Sequence, residues 1–313
     1  MSDFDFTKPQ VPQPASPDGF DFTKPPPPES ASTLKPASSK FYNPAVAKKL
    51  FQASGKEEQF AAGQVIFEEA EKSSKGGVFS LKSASRMYYI AQGEVALTHG
   101  GRTLDTLKAG EIVGDMAVIS EHPRSATATA RSACLTYSLN SAELQGALVK
   151  NPEFALMLMS VLVDRVRFVA ARLAARKAAP LAAAREAAVF DPAQLAQFEA
   201  ALPRTAIARY QAGASVMKEG QAGIYMYIVK SGRVFITIKD KVLEGVSPGG
   251  IFGEMALVDQ SPRVASATAD VYSELLVVDR PSLLEAVKAQ PSFAMAMLRA
   301  VVERLRHMNS QFG

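Results

Sequence analysis

Two kinds of apolar spacing alternate along the chain. Short runs in which large apolar residues are bounded by glycine turns read as strands, at Gln64 to Phe67, Tyr88 to Leu97, Tyr225 to Val229 and Val234 to Ile238. Longer stretches carry the 3.6-residue period of a helix: Phe154, Leu158, Leu162 and Val166 in one, and Phe293, Met297, Leu298, Val301, Leu305 and Met308 in another. Pro152 and Pro291 precede these stripes, where a first helical turn tolerates proline. Strands so closely spaced predict a roll or jelly roll rather than βαβ units, so the fold class is α+β with flanking helices.

The pattern occurs twice. Met87-Tyr88 and Met226-Tyr227, Gly93 and Gly232, Gly110 and Gly249, Gly114 and Gly253, Pro123-Arg124 and Pro262-Arg263, and Pro152 and Pro291 all stand 139 positions apart. Upstream, Gly63 and Gly213 stand 150 apart, so the first copy carries 11 extra residues between Glu71 and Arg86. This predicts tandem domains at 43–179 and 203–313, joined by a helical connector at 180–202. Of the 19 residues from Ala170 to Ala188, 11 are alanine, which predicts that the first terminal helix continues into the connector and kinks or breaks near Pro180. Asp191-Pro192 predicts the cap of a new helix running to about Leu202.

Residues 1–42 read differently. Ten of the 19 prolines lie within residues 1 to 44, and few large aliphatic residues accompany them, so a disordered tail is expected. It contains Phe-Asp-Phe-Thr-Lys-Pro twice, 16 positions apart. Phe4, Phe6, Phe20 and Phe22 are candidate anchors for an effector protein that adds the peptide as a strand; a duplication within a plain linker gives the same sequence.

Composition removes several function classes. One cysteine, Cys134, and three scattered histidines make neither a disulfide nor a cysteine-based metal site. The chain has 35 basic and 31 acidic residues interleaved, which is no footprint for nucleic acid. No apolar run reaches the roughly 20 residues of a membrane span, and the N-terminus lacks the regions of a signal peptide, so a cytoplasmic protein is expected. Neither a Walker lysine nor a nucleophile elbow or triad spacing is present, so no enzyme, cofactor or metal is expected.

The candidate chemistry lies in a segment present in both copies. The first reads Gly114-Asp115-Met116-Ala117, followed after five residues by Pro123-Arg124-Ser125-Ala126. The second reads Gly253-Glu254-Met255-Ala256, followed at the same spacing by Pro262-Arg263-Val264-Ala265. Glycine lets the backbone approach a ligand closely, exposed amides at a helical turn attract phosphate, and arginine offers a planar fork of donors. The carboxylate repels phosphate and suits a ribose hydroxyl instead, and phosphate together with ribose means a nucleotide. A rim salt bridge between the arginine and the carboxylate is the competing use of the same residues.

This segment, with Phe252 before Gly253 and Leu257 after Ala256, resembles the phosphate-binding cassette of cyclic nucleotide-binding domains. The organisation over residues 45 to 310 resembles the tandem domains of the regulatory subunit of cAMP-dependent protein kinase. The resemblance implies two β-rolls flanked by helices. It places the cyclic phosphate on Arg263 and on amides near Ala256 and Ala265, and the ribose 2′-hydroxyl on Glu254; Arg124 and Asp115 correspond in the first domain. It also implies that the following helix acts as a lid, with contributions near Phe168 and from His307 to Phe312.

The first cassette departs from the pattern. Asp115 is one methylene shorter than the usual glutamate, Val113 replaces a phenylalanine, and Ser125 adds a hydroxyl, so a weaker or altered first site is expected. The output expected is a cyclic nucleotide (cAMP or cGMP) sensor that signals to a partner protein. A cyclic dinucleotide is an alternative ligand. A ligand-independent scaffold that keeps the roll is the alternative function. Only five residues follow Met308, so no helix-turn-helix DNA binding is expected. The apolar stripe of the last helix either packs on its own barrel or pairs copies into a homo-oligomer.

Overall fold

The computed structural model describes residues 41–69, 85–175, 185–186, 189–202, 206–290 and 292–310. The expected tail, with Phe4, Phe6, Phe20 and Phe22, and most of the segment carrying the extra residues lie outside these.

In the first domain α1 (Pro44–Ser54) leads into β1 (Lys56–Phe60), β2 (Val65–Phe67), β3 (Met87–Gln92), β4 (Glu94–His99), β5 (Arg102–Lys108) and β6 (Ile112–Val113). A short helix α2 (Asp115–Ser120), β7 (Thr127–Ala130), β8 (Cys134–Leu139), α3 (Ser141–Lys150) and the long α4 (Glu153–Ala175) follow. After β9 (Arg185–Glu186) and α5 (Pro192–Ala201), the second domain repeats the order. It has β10 (Ala206–Tyr210), β11 (Ser215–Met217), β12 (Tyr225–Ser231), β13 (Val234–Ile238), β14 (Lys241–Val246), β15 (Ile251–Phe252) and α6 (Glu254–Asp259). It closes with β16 (Ser266–Ala269), β17 (Ser273–Asp279), α7 (Arg280–Ala289) and α8 (Ser292–Ser310).

Each domain is a roll of two sheets whose neighbouring strands run antiparallel, except that β9 runs parallel to β14. Their strand orders are β1-β8-β3-β6 and β2-β7-β4-β5 in the first domain, and β10-β17-β12-β15 and β11-β16-β13-β14-β9 in the second. The tandem β-roll architecture read from the repeat is therefore the architecture of the chain. The stretch Tyr88 to Leu97, expected as one strand, is two. Gly93, at φ +92°, turns the chain from β3 into β4 and leaves no room for a side chain against Cys134. Its partner Gly232 (φ +89°) does the same between β12 and β13.

The alanine-rich stretch is helical only as far as Ala175 among the described residues. Arg185 and Glu186, expected within a helix, form a strand parallel to β14. Hydrogen bonding to the outer edge of β14 overrides alanine's helix propensity, which is only a few tenths of a kcal/mol per residue. The cap at Asp191 has the expected form: its side chain accepts from the Gln194 amide and Gln194 answers to the Asp191 amide. The folded part begins before residue 43, since the Tyr42 hydroxyl donates to the Gly110 carbonyl at 2.7 Å.

The helices assemble one core from both domains. Phe154, Leu158, Leu162 and Val166 of α4 and Phe293, Met297, Leu298, Val301, Leu305 and Met308 of α8 are all buried in it. Phe293 meets Phe198 edge-on with centroids 4.7 Å apart, and Phe154 meets Phe51 at 6.2 Å. Each ring fully buried is worth roughly 1.5–3 kcal/mol. The α8 stripe is thus covered within the chain itself.

Candidate ligand site

Both cassettes are built the same way. A two-residue strand ends at a glycine in the left-handed region, Gly114 (φ +80°) or Gly253 (φ +76°), and a six-residue helix starts with the acidic residue. Arg124 donates to the Gly114 carbonyl at 2.9 Å and to the Arg86 carbonyl at 2.6 Å. Arg263 donates to the Gly253 carbonyl at 2.8 Å and to the Tyr225 carbonyl at 2.7 Å. A Cβ at either glycine would lie 2.6 or 2.7 Å from the guanidinium, so no other residue fits beneath it. Gly223 also lies close against Arg263, where a Cβ would stand 2.3 Å from Cζ.

Both arginines are buried, each 6% exposed. Burial pulls the Arg263 guanidinium below its ordinary range, against the opposing influence of Tyr227 and Glu254. Among the described residues its hydrogen-bond acceptors are backbone carbonyls. A buried cation so placed gains from an anion brought to it.

The acidic residues are not idle. Asp115 receives Arg165 of α4 at 2.9 Å, and Glu254, 1% exposed, receives Arg304 of α8. Arg304 also reaches Glu244 at 2.9 Å and the Ile251 carbonyl at 3.1 Å. Burial disfavours the charge on Arg304, but Glu244 and Glu254 outweigh it and hold the guanidinium above its ordinary range. In the first domain burial raises the Asp105 carboxyl, opposed by its own hydrogen bond from the Thr106 amide and by Arg165. Arg165 and Arg304 escaped the sequence reading. The signal was present, since they stand 139 apart like the cassettes, as do Asp105 and Glu244.

A cavity opens in the second domain beside the cassette. Of the expected residues, Gly253, Glu254, Met255, Ala256, Arg263, Val264 and Ala265 line it, and Pro262 is exposed outside it. His307 and Met308 of α8 contribute, whereas Phe168 does not; Val166 and Ala170 of α4 stand there instead. The cavity is apolar apart from Arg263, Glu254, Glu244, Arg304 and His307.

In the first domain Arg124 lies 4.0 Å above the centre of the Phe67 ring, which stacks on Tyr88. Gly114, Asp115, Met116, Ala117, Pro123 and Ala126 gather around this arginine's loop, with Asp115, Ala117 and Ala126 buried; Ser125 faces solvent. The cavity in the second domain has Met217 at the position corresponding to Phe67. Among the described residues no group of histidine, cysteine and carboxylate side chains could hold a metal ion, and no helix is long and apolar enough to cross a membrane.

Two rolls, each with a buried arginine and a carboxylate behind a glycine turn, define the class: a tandem β-roll binding module. The Cyclic nucleotide-binding domain profile matches residues 57–151 and 207–290, more than half of the chain, and the chain belongs to that family. A CRP-like cAMP-activated global transcriptional regulator of Mycobacterium tuberculosis is 30% identical over 106 residues, 32% of this chain and 47% of that protein. The cAMP-dependent protein kinase regulatory subunit of Schizosaccharomyces pombe is 24% identical over 217 residues, 66% of this chain and 48% of that one. The matches therefore span about half the length of these relatives. The solved regulatory domain of Toxoplasma gondii PKA with cAMP is similar at 17% identity, covering 79% of this chain and 89% of that one with a TM-score of 0.28.

Proposed function

We propose that this protein is a non-catalytic cytoplasmic sensor that binds cAMP or cGMP in its second domain and signals to a partner protein. The observation that carries this is Arg263, buried at the wall of a cavity with carbonyls for partners and Glu254 beside it. The cyclic phosphate would bind Arg263 and amides near Ala256 and Ala265. The ribose 2′-hydroxyl would donate to Glu254 and compete there with Arg304. Since Arg304 sits on α8, loosening it frees the helix that carries His307 and Met308 along the cavity, and that displacement is the signal. The repeated tail peptide with Phe4, Phe6, Phe20 and Phe22 is the proposed contact for the partner.

Isothermal titration of the full chain with cAMP and cGMP tests the reading. Saturable binding by the wild type that is lost in Arg263→Ala supports it. No saturable binding, or unchanged binding in Arg263→Ala with the fold intact by circular dichroism, overturns it.

The ligand-independent scaffold is favoured by one observation in the first domain, the Phe67 ring against Arg124. Thermal melting separates the two. A ligand at 100 times its dissociation constant adds about 2.7 kcal/mol, and a scaffold shows no shift.

A further inference from the structure

The apolar stripe of α4 does not end in the domain that begins it. Leu158 and Leu162 are buried in the shared core, and Arg165 is tied to Asp115 of the first cassette at 2.9 Å. Val166 and Ala170 continue that face at successive steps of four residues, one helical turn each, and both line the cavity of the second domain. The helix is thus fastened to one cassette while its next turns wall the cavity of the other.

A cyclic nucleotide has a charged sugar-phosphate end and a base whose faces are apolar. With Arg263 and Glu254 taking the charged end, the base must lie against the apolar lining, part of which belongs to α4. We infer that the second site is completed by the first domain: Val166 and Ala170 form a wall for the base, and their size sets how bulky a base the site accepts. This rests on the cyclic-nucleotide reading above. It makes α4 a selectivity element of a site outside its own domain, acting through side-chain volume rather than through the cassette.

The test uses the full chain and three probes: cAMP, and cAMP analogues carrying a phenyl-sized group on purine C8 or on N6. Affinities are measured by titration for the wild type, Val166→Ala, Ala170→Leu and Arg263→Ala. A single methylene in an apolar pocket changes discrimination by about 10- to 200-fold. Ala170→Leu is expected to weaken cAMP about tenfold, and Val166→Ala to shift the analogue-to-parent affinity ratio at least about fivefold toward one analogue. The ratio does not respond to general loss of stability, so it reads the wall even if Ala170→Leu folds poorly. If Arg263→Ala abolishes binding while Val166→Ala leaves both ratios within about twofold of wild type, the composite wall is overturned alone. If the wild type binds none of the probes, the cyclic-nucleotide reading fails and the wall fails with it.

Discussion

The two cassettes share a backbone and differ in what fills the space beside it. In both, an arginine ten residues beyond a left-handed glycine bonds two carbonyls, and the second helix after it returns an arginine to the acidic residue. The aromatic partner of the central tyrosine has moved, however. Tyr227 stacks on Phe252 of its own cassette at 5.1 Å, whereas Tyr88, facing the smaller Val113, stacks on Phe67 of β2 at 6.1 Å. Moving the ring to β2 brings it against Arg124. Met217 at that place in the second domain leaves a cavity. A cassette motif therefore specifies the cradle, and a residue some 35 to 60 positions upstream sets what stands beside it, a ring against Arg124 in one domain and a methionine lining a cavity in the other.

The comparison breaks hardest at the returning arginines. Arg304→Ala leaves Glu244 and Glu254 buried without their cation and is expected to cost about 3–5 kcal/mol in urea unfolding. Arg165→Ala, whose ion pair is with Asp115 alone among the described residues, is expected to cost less. Equal losses would mean that the two helices are held alike.

Next in size is the arginine proposed to hold the phosphate. Arg263→Ala is expected to weaken cyclic nucleotide binding at least about 100-fold, since two charge-assisted bonds at roughly 1.5–3 kcal/mol each are removed. Arg124→Ala is expected to leave the main affinity within about threefold. Titration of both variants checks the asymmetry, and a larger loss in Arg124→Ala would invert the assignment.

Met217→Phe gives the second domain the filling of the first and is expected to weaken binding about tenfold. Phe67→Met performs the reverse exchange, and a second binding event in its titration isotherm is the expected gain.

The smallest effect concerns caps. Asp279 caps α7, accepting from the Ser282 amide at 2.9 Å, and Asn140 caps α3 in the corresponding place. The hydrogen bonds from Ser282 hold the Asp279 carboxyl below its usual range. A lowered folded value gives stability that is complete above the unfolded value of about 4 and is lost as pH falls through the folded one. Asp279→Asn is expected to leave stability at neutral pH within about 0.5 kcal/mol and to flatten its decline below pH of about 4, read from melting curves across pH.

Much of this was legible in residue order. The glycines that turn strands, the cap at Asp191, the helical stripes and the equal spacing of the cassettes are local patterns, and local sterics or hydrogen bonding enforces them. What was misread has a common cause. The break at Gly93 was hidden by the unbroken apolar content of Tyr88 to Leu97, and Arg185-Glu186 pairs with β14 because a sheet edge was available there. Arg165 and Arg304 look like exposed charges on amphipathic helices until the helices are laid against the cassettes.

Sequence alone determined that there are two copies of one roll, where each cassette lies and which arginine and carboxylate it presents, because spacing and glycine conformation are properties of the chain taken a few residues at a time. Only the tertiary structure decided that Arg304 holds Glu254, that Phe67 rather than Val113 supplies the first domain's aromatic plug, and that α4 carries its apolar face out of one domain into the cavity of the other. Those contacts depend on which surfaces meet after the helices pack, and periodicity says that a face is apolar without saying what will cover it.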